Sequence, residues 1–166
     1  MKFRALLSAL LLAAGLVFVA EGNEPSAPPV DSPSEVLKKS FVALQKQDFL
    51  VMADLSYGEQ RAEALRLVEE LKRLKEAAAS GDEKAKNELA LAQQMLNDVK
   101  AGLEKVKIEI KEEKIEGDLA EVDAAVSGTS DQKVEVKKAY LKKINGKWKV
   151  ITLKDYEAEK AKTVKK

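Results

Sequence analysis

The stretch "AYLKKINGKWKVITL", residues 139–153, decides the fold. At its centre is Asn145-Gly146, the pair that suits a two-residue hairpin turn in which both central residues take positive φ. Strand alternation on the far side puts Trp148, Val150 and Thr152 on one face, with Lys147, Lys149, Ile151 and Leu153 on the other. The chain has a single Trp. Placed at the start of a final strand, its ring is a large apolar anchor for a core, and the lysines around it keep the other face wet and blunt the edge. The competing reading makes Trp148 the wall of a ligand pocket.

Reading backwards from this hairpin, a period of two persists as far as Gly102. Val106, Ile108 and Ile110 alternate with Lys105, Lys107, Glu109 and Lys111. A turn follows at Glu116-Gly117-Asp118, then Ala120, Val122, Ala124 and Val126 alternate with Glu121 and Asp123. "SGTSD" at 127–131 makes the next turn. A third strand starts at Val134 and Val136 and runs through Tyr140 and Leu141, with Tyr140 expected on the inner face beside the two valines. Alternation weakens near Lys138, which points to a bulge or a strong bend there. Apolar positions inside and charges outside describe an antiparallel meander of about four strands with one solvated face.

Ahead of Gly102 the period is helical. Ser32-Pro33-Ser34-Glu35 is a capping box with Pro at the first helical position, followed by Leu37, Phe41 and Leu44. A short helix capped by Asp48 carries Phe49, Met52 and Leu55 on one side. Ser56 and Glu59 suggest a second capping box, opening a long helix to about Ala79 with Ala64, Leu67, Leu71, Leu74 and Ala78 on its stripe. Ser80-Gly81-Asp82 stops it and caps a fourth helix bearing Ala85, Leu89, Ala92, Leu96 and Val99. Residues 57–102 thus form an antiparallel helical hairpin, either packed on its own body or standing out as an arm for a partner. The expected fold class is α+β: N-terminal helices on a curved antiparallel sheet, with this hairpin as an extension.

The chain's ends suggest export. Lys2 and Arg4 precede an uncharged run from Ala5 to Ala20; sixteen helical residues span about 24 Å, short of a bilayer core of about 30 Å. This is the pattern of a secretory signal peptide over 1–22, cut near Ala20–Gly22, which leaves a periplasmic or secreted protein. An uncleaved segment would instead anchor the chain to the inner membrane, the one route to membrane contact. Residues 23–32, rich in Pro and Ser, read as a flexible linker, 33–154 as the domain, and 155–166 as a basic, mixed-charge tail, frayed or weakly helical.

Composition narrows the chemistry. With 29 basic and 28 acidic residues there is no single-sign field to draw nucleic acid. There is no Cys and no His, so disulfides, thiolate sites and the commonest general base are excluded. The acidic pairs Glu69-Glu70 and Glu112-Glu113 lack calcium-loop spacing, and no metal or cofactor is expected. Asp54 and Tyr140 are the candidates for an acid/base pair. Asp48 is explained as a cap. Phe41, Tyr57, Tyr140 and Trp148 are the aromatic residues that could line an apolar pocket.

Three stretches carry a resemblance: "PSEVLKKSFVALQKQDFLVMADL" (33–55), "KIEIKEEKIEGDLAEV" (107–122) and "LKKINGKWKV" (141–150). Together they resemble the cystatin-like, nuclear-transport-factor-2-like superfamily, and within it the small exported bacterial domains of unknown function, many of them lipoproteins. The resemblance covers most of 33–153 and implies a cone of curved sheet around helices. Two departures stand out: 57–102 is longer and more helical, and the lipid-attachment Cys is missing. The fold implies no activity. Three roles follow as expectations. The first is a non-catalytic module binding an envelope protein, a peptide or a small apolar ligand. The second is a small isomerase, dehydratase or hydrolase using the Asp/Tyr pair. The third is a scaffold subunit, with a homodimer compatible with it.

Overall fold

The computed structural model describes residues 31–128 and 135–163. The expected signal peptide, nearly all of the expected linker, and Val134 at the expected start of the third strand lie outside the described residues. The order is α1 (Pro33–Gln45), α2 (Phe49–Leu55), α3 (Gly58–Ala79), α4 (Glu83–Leu103), β1 (Lys107–Glu116), β2 (Leu119–Ser127), β3 (Glu135–Ile144), β4 (Lys147–Ile151) and α5 (Leu153–Thr163). The fold is α+β, with helices on a four-stranded antiparallel sheet of order β1-β2-β3-β4.

Most caps lie where local chemistry puts them. Ser32 accepts from the Glu35 amide at 3.2 Å, Asp48 from Val51 at 3.1 Å, and Asp82 from Lys84 and Ala85 at 2.9 and 3.1 Å. Each satisfies first-turn amides that otherwise have no partner. Glu113 on β1 adds a long-range cap by accepting from the Ser34 amide at 2.8 Å, which ties the start of α1 to the sheet. The box expected at Ser56 and Glu59 does not form. Ser56 is buried and makes a parallel bridge to Val150. The Tyr57 amide donates to the Val150 carbonyl at 2.9 Å, and α3 starts at Gly58 without a side-chain cap. The open edge of β4 takes up the backbone at 56–57, and that pairing outranks the local cap.

The sheet departs from expectation in one strand. Leu141 lies between Ala120 and Val150, and Ala139 beside Val122, so Glu135, Lys137, Ala139 and Leu141 share the face of the core. Val136, Lys138 and Tyr140 point to the outer face; Val136 is 63% exposed. The expected placement of Tyr140 and Val136 on the inner face is therefore reversed. Lys138 sits in regular register opposite Asp123, and the register shift falls between Ile110 and Glu112 of β1 instead. Weak alternation near Lys138 has another cause: residues 135–138 are exposed on both faces, so the start of the strand has no buried side to alternate with.

The main core gathers Val36, Leu37 and Phe41 of α1, Met52 of α2, Ala64 and Leu67 of α3, and Val122, Leu141, Trp148 and Val150 of the sheet. The Asn145-Gly146 turn has positive φ at both residues (49° and 78°). A second, smaller cluster on the outer face joins Leu119, Ile151 and Tyr156, with Tyr140 packed against it. It exists because residues 153–163 are helical. Of the two expectations for the tail, frayed or weakly helical, the helical one is found: these residues form α5, started by Thr152, whose hydroxyl accepts from the Asp155 amide at 3.1 Å.

Gly58 marks where α3, β4 and α5 meet. Its φ is +63°, and a Cβ added there would lie 2.6 Å from Asp155 Oδ2. Gly58→Ala should cost about 1–3 kcal/mol, from the left-handed backbone and the displaced carboxylate. Denaturant unfolding of Gly58→Ala against Gly58→Ala/Asp155→Ala separates the two causes, because only the clash is relieved in the double variant. No loss in the single variant would show that the junction is not packed as described.

Candidate functional site

The residues singled out by sequence do not assemble into one site. Phe41 (1% exposed) and Trp148 (6%) are packed in the main core. Lys143 Nζ lies 5.7 Å from the Trp148 ring centroid, so the indole has one charged neighbour at its rim. Tyr57 is 44% exposed at the root of α3, with Lys142 Nζ at 6.0 Å from its ring. Tyr140 is on the outer face, its ring centroid 4.8 Å from that of Tyr156. Asp54 is exposed at the end of α2, on the side of the core helices, and its carbonyl accepts from Lys149. No hydrogen bond joins Asp54 to Tyr140, whose ring packs instead on Tyr156, so the expected acid/base pair is not formed. The lysines of β3 and β4 are largely engaged within the protein, which leaves little of a basic patch.

The structure instead concentrates interacting polar groups under α5. The Tyr156 hydroxyl donates to Glu121 Oε1 at 2.8 Å. Lys138 donates to the other Glu121 oxygen at 2.6 Å, and Lys160 lies 3.8 Å from Glu121 and 3.7 Å from Glu116. On the adjacent row Lys142 pairs with Glu159 at 2.7 Å. Glu121 is held below the usual carboxylate range by the Lys138 hydrogen bond first and that of Tyr156 second. The Lys138 ammonium is correspondingly raised, chiefly by Glu121. The Tyr156 phenol is pushed up to about 12, by burial first and then by its bond to the Glu121 carboxylate.

A phenol that keeps its proton, facing a carboxylate already matched by two lysines, is a fastening rather than an acid/base pair poised near neutrality. It also makes a prediction. Neutral Tyr156 stabilises the fold fully below the free phenol value of about 10, and that contribution is lost as pH rises towards about 12. Glu121 and Glu159 act in the opposite sense: their folded values are lowered, so their contribution is lost as pH falls through those values. Phenolate absorbance of the three tyrosines should show a late phase near pH 12 that disappears in Tyr156→Phe. A titration with no late phase would contradict the burial of this hydroxyl.

Sequence reasoning missed this cluster, although one signal was present. Thr152-Leu153-Lys154-Asp155 is a capping motif directly before Tyr156, and it announces a helix.

The arm is the other distinctive surface. At about 1.5 Å per residue, α3 and α4 are each about 30 Å long. Ala64 and Leu67 of α3, with Leu96 and Leu103 of α4, join the main core. Leu74, Ala85 and Ala92 are buried but stand outside it. The root is therefore packed on the body, and the outer half is a helix pair buried only against itself. Gln45 and Gln47 tie α4 to the body by donating to the carbonyls of Leu103 (3.1 Å) and Leu96 (2.6 Å). Leu91, one of the large apolar side chains left exposed, sits on the outward face of α4.

Among the described residues there is no group of three or more acidic side chains placed to hold a metal ion, and no helix long and apolar enough to cross a membrane. The class defined so far is an α+β protein with a filled sheet face and a projecting helical arm. No family model matches the chain, and no curated protein matches it. Among solved structures it is similar to a Campylobacter jejuni protein determined at 2.00 Å and provisionally described as an NTF2-like transpeptidase. The identity is 15% and the TM-score 0.40, over 72% of this chain and 97% of that one.

Proposed function

We propose that the protein is an exported, non-catalytic interaction module that works through its surface, with the arm as the main docking element. One observation carries this reading: Phe41, Leu141 and Trp148 fill the sheet face where a fold of this kind would hold a ligand, and the outer half of the arm stands clear of that core. Asp54 and Tyr140 share no hydrogen bond, which supports the non-catalytic reading over an enzymatic one built on that pair. Export rests on residues 1–22, and a protein partner in the envelope follows from it.

The single Trp makes the reading testable. Apolar ligands such as fatty acids and hydrophobic dyes should leave both the thermal midpoint and the Trp148 emission unchanged, because the ring is already enclosed by protein. A ligand that raises the midpoint and shifts that emission would mean the face opens to hold cargo, and the surface-binding reading would be abandoned. Mass spectrometry of the protein from the envelope fraction should find a mature N-terminus near Gly22; an intact Met1 would favour anchoring instead.

A further inference from the structure

We infer that the arm pairs with a second copy of itself, α4 against α4 in antiparallel orientation, about a two-fold axis at Leu91. The inference rests on the reading of the arm as a docking element and names its occupant. Lys84, Leu91 and Asp98 are spaced by seven residues, so they lie along one stripe of the helix with only a slight drift. All three are exposed, as are Asn87 and Gln94 on the turns between them, and Leu91 is 55% exposed. Among the described residues neither Lys84 nor Asp98 has a side-chain ion pair, whereas neighbouring Lys86 is paired with Glu83 at 2.6 Å.

The stripe is self-complementary in one orientation. Two copies run antiparallel about Leu91 set each Lys84 opposite the other copy's Asp98, with the two Leu91 side chains meeting at the centre. A parallel arrangement in register would set like charges against each other. The lengths fit as well. With Leu91 at the centre, Gly81 at the tip of one arm falls opposite Ala101 of the other, still within α4, which ends at Leu103. The two α4 helices therefore match in length over the whole overlap. A two-fold contact of this kind is isologous, the commonest closed arrangement. A single-helix seam is at the small end of specific interfaces, so the dimer is weak and sensitive to salt.

Sedimentation of the purified protein across a concentration series reads the association directly. A reversible monomer–dimer equilibrium is expected, weakened at least tenfold by Leu91→Asp, by Lys84→Glu and by Asp98→Lys. The two charge reversals restore it in two ways: combined in one chain, or mixed as separate single variants, which should then pair preferentially with each other. Because the chain has no cysteine, Leu91→Cys should cross-link to its own copy under mild oxidation, whereas Lys84→Cys should cross-link to Asp98→Cys and not to itself. Circular dichroism checks that each variant is folded, and these exposed positions leave the core untouched. A strict monomer at every concentration, a dimer indifferent to all three substitutions, or failure of the mixed variants to pair overturns the inference. A strict monomer would still leave the arm free to bind a different protein, which the ligand test above does not address, so the two readings fail separately.

Discussion

Trp148→Ala lowers the stability of the protein by about 3–5 kcal/mol, the range for removing a large buried aromatic from a packed core. The indole is buried beside Val150 on the core face of β4, in the same cluster as Phe41 and Leu141. Its loss removes apolar burial and leaves a void at the end of the sheet, where α1 is tied to β1 by the Ser34–Glu113 bond and the α1–α2 junction to α4 by Gln47, so collapse fills it only in part. Against a total stability of about 5–15 kcal/mol, this is a large fraction. The thermal midpoint should fall by about 10 °C or more, and chemical unfolding should show the loss in the midpoint rather than in the slope. Lys143→Ala is the control, since it removes only the cation near the ring and should cost less than about 1 kcal/mol. A Trp148→Ala protein as stable as its parent would place the ring outside the core, and with it the reading of the final hairpin.

What could be read from the residues, and what could not, divides along a physical line. Local chemistry identified α1, α2 and α4 by their caps, the stop at Gly81, the Asn145-Gly146 turn, and the change of period after Gly102, because each depends on neighbours a few residues apart. Trp148 as a core side chain followed from alternation alone. Three things needed the tertiary structure. The start of α3 was misplaced because Ser56 was claimed by the edge of β4, 94 residues away in sequence. The face of β3 was reversed because Tyr140 is an apolar residue on an outer face that another element covers, and a one-residue slip exchanges every side chain between faces. The strength of the last helix is not legible because its sequence is polar and lysine-rich, and among its described residues Tyr156 is the one strongly buried position. The candidate pair rests on the same assumption: it matches Asp54 with a Tyr140 on the inner face, and the reversal of β3 turns that ring outward against Tyr156.

The weight carried by that single position makes α5 the other place where a large effect is expected. Tyr156 is 3% exposed, lies against Leu119 and Ile151, and packs on the Tyr140 ring. Tyr156→Ala should cost about 3–4 kcal/mol, combining the lost ring burial with the bond left unmade at Glu121. Tyr156→Phe keeps the ring and loses only the hydroxyl, so it should cost about 1–2 kcal/mol, the range for one hydrogen bond to a charged acceptor. The ratio of the two losses separates packing from polar fastening. The losses should also appear locally before they appear globally. Hydrogen exchange at 153–163 should accelerate strongly in Tyr156→Ala under conditions where the amides of β2 at Val122 and Ala124 remain protected, because α5 is held by side chains on one face and contributes no strand to the sheet. Lys142–Glu159 and Lys160–Glu121 are half-exposed pairs worth little alone, so they cannot hold the helix once the ring is gone. If exchange in α5 is already fast in the parent protein and Tyr156→Ala changes neither exchange nor stability, the outer face is bare in solution and the second core does not exist.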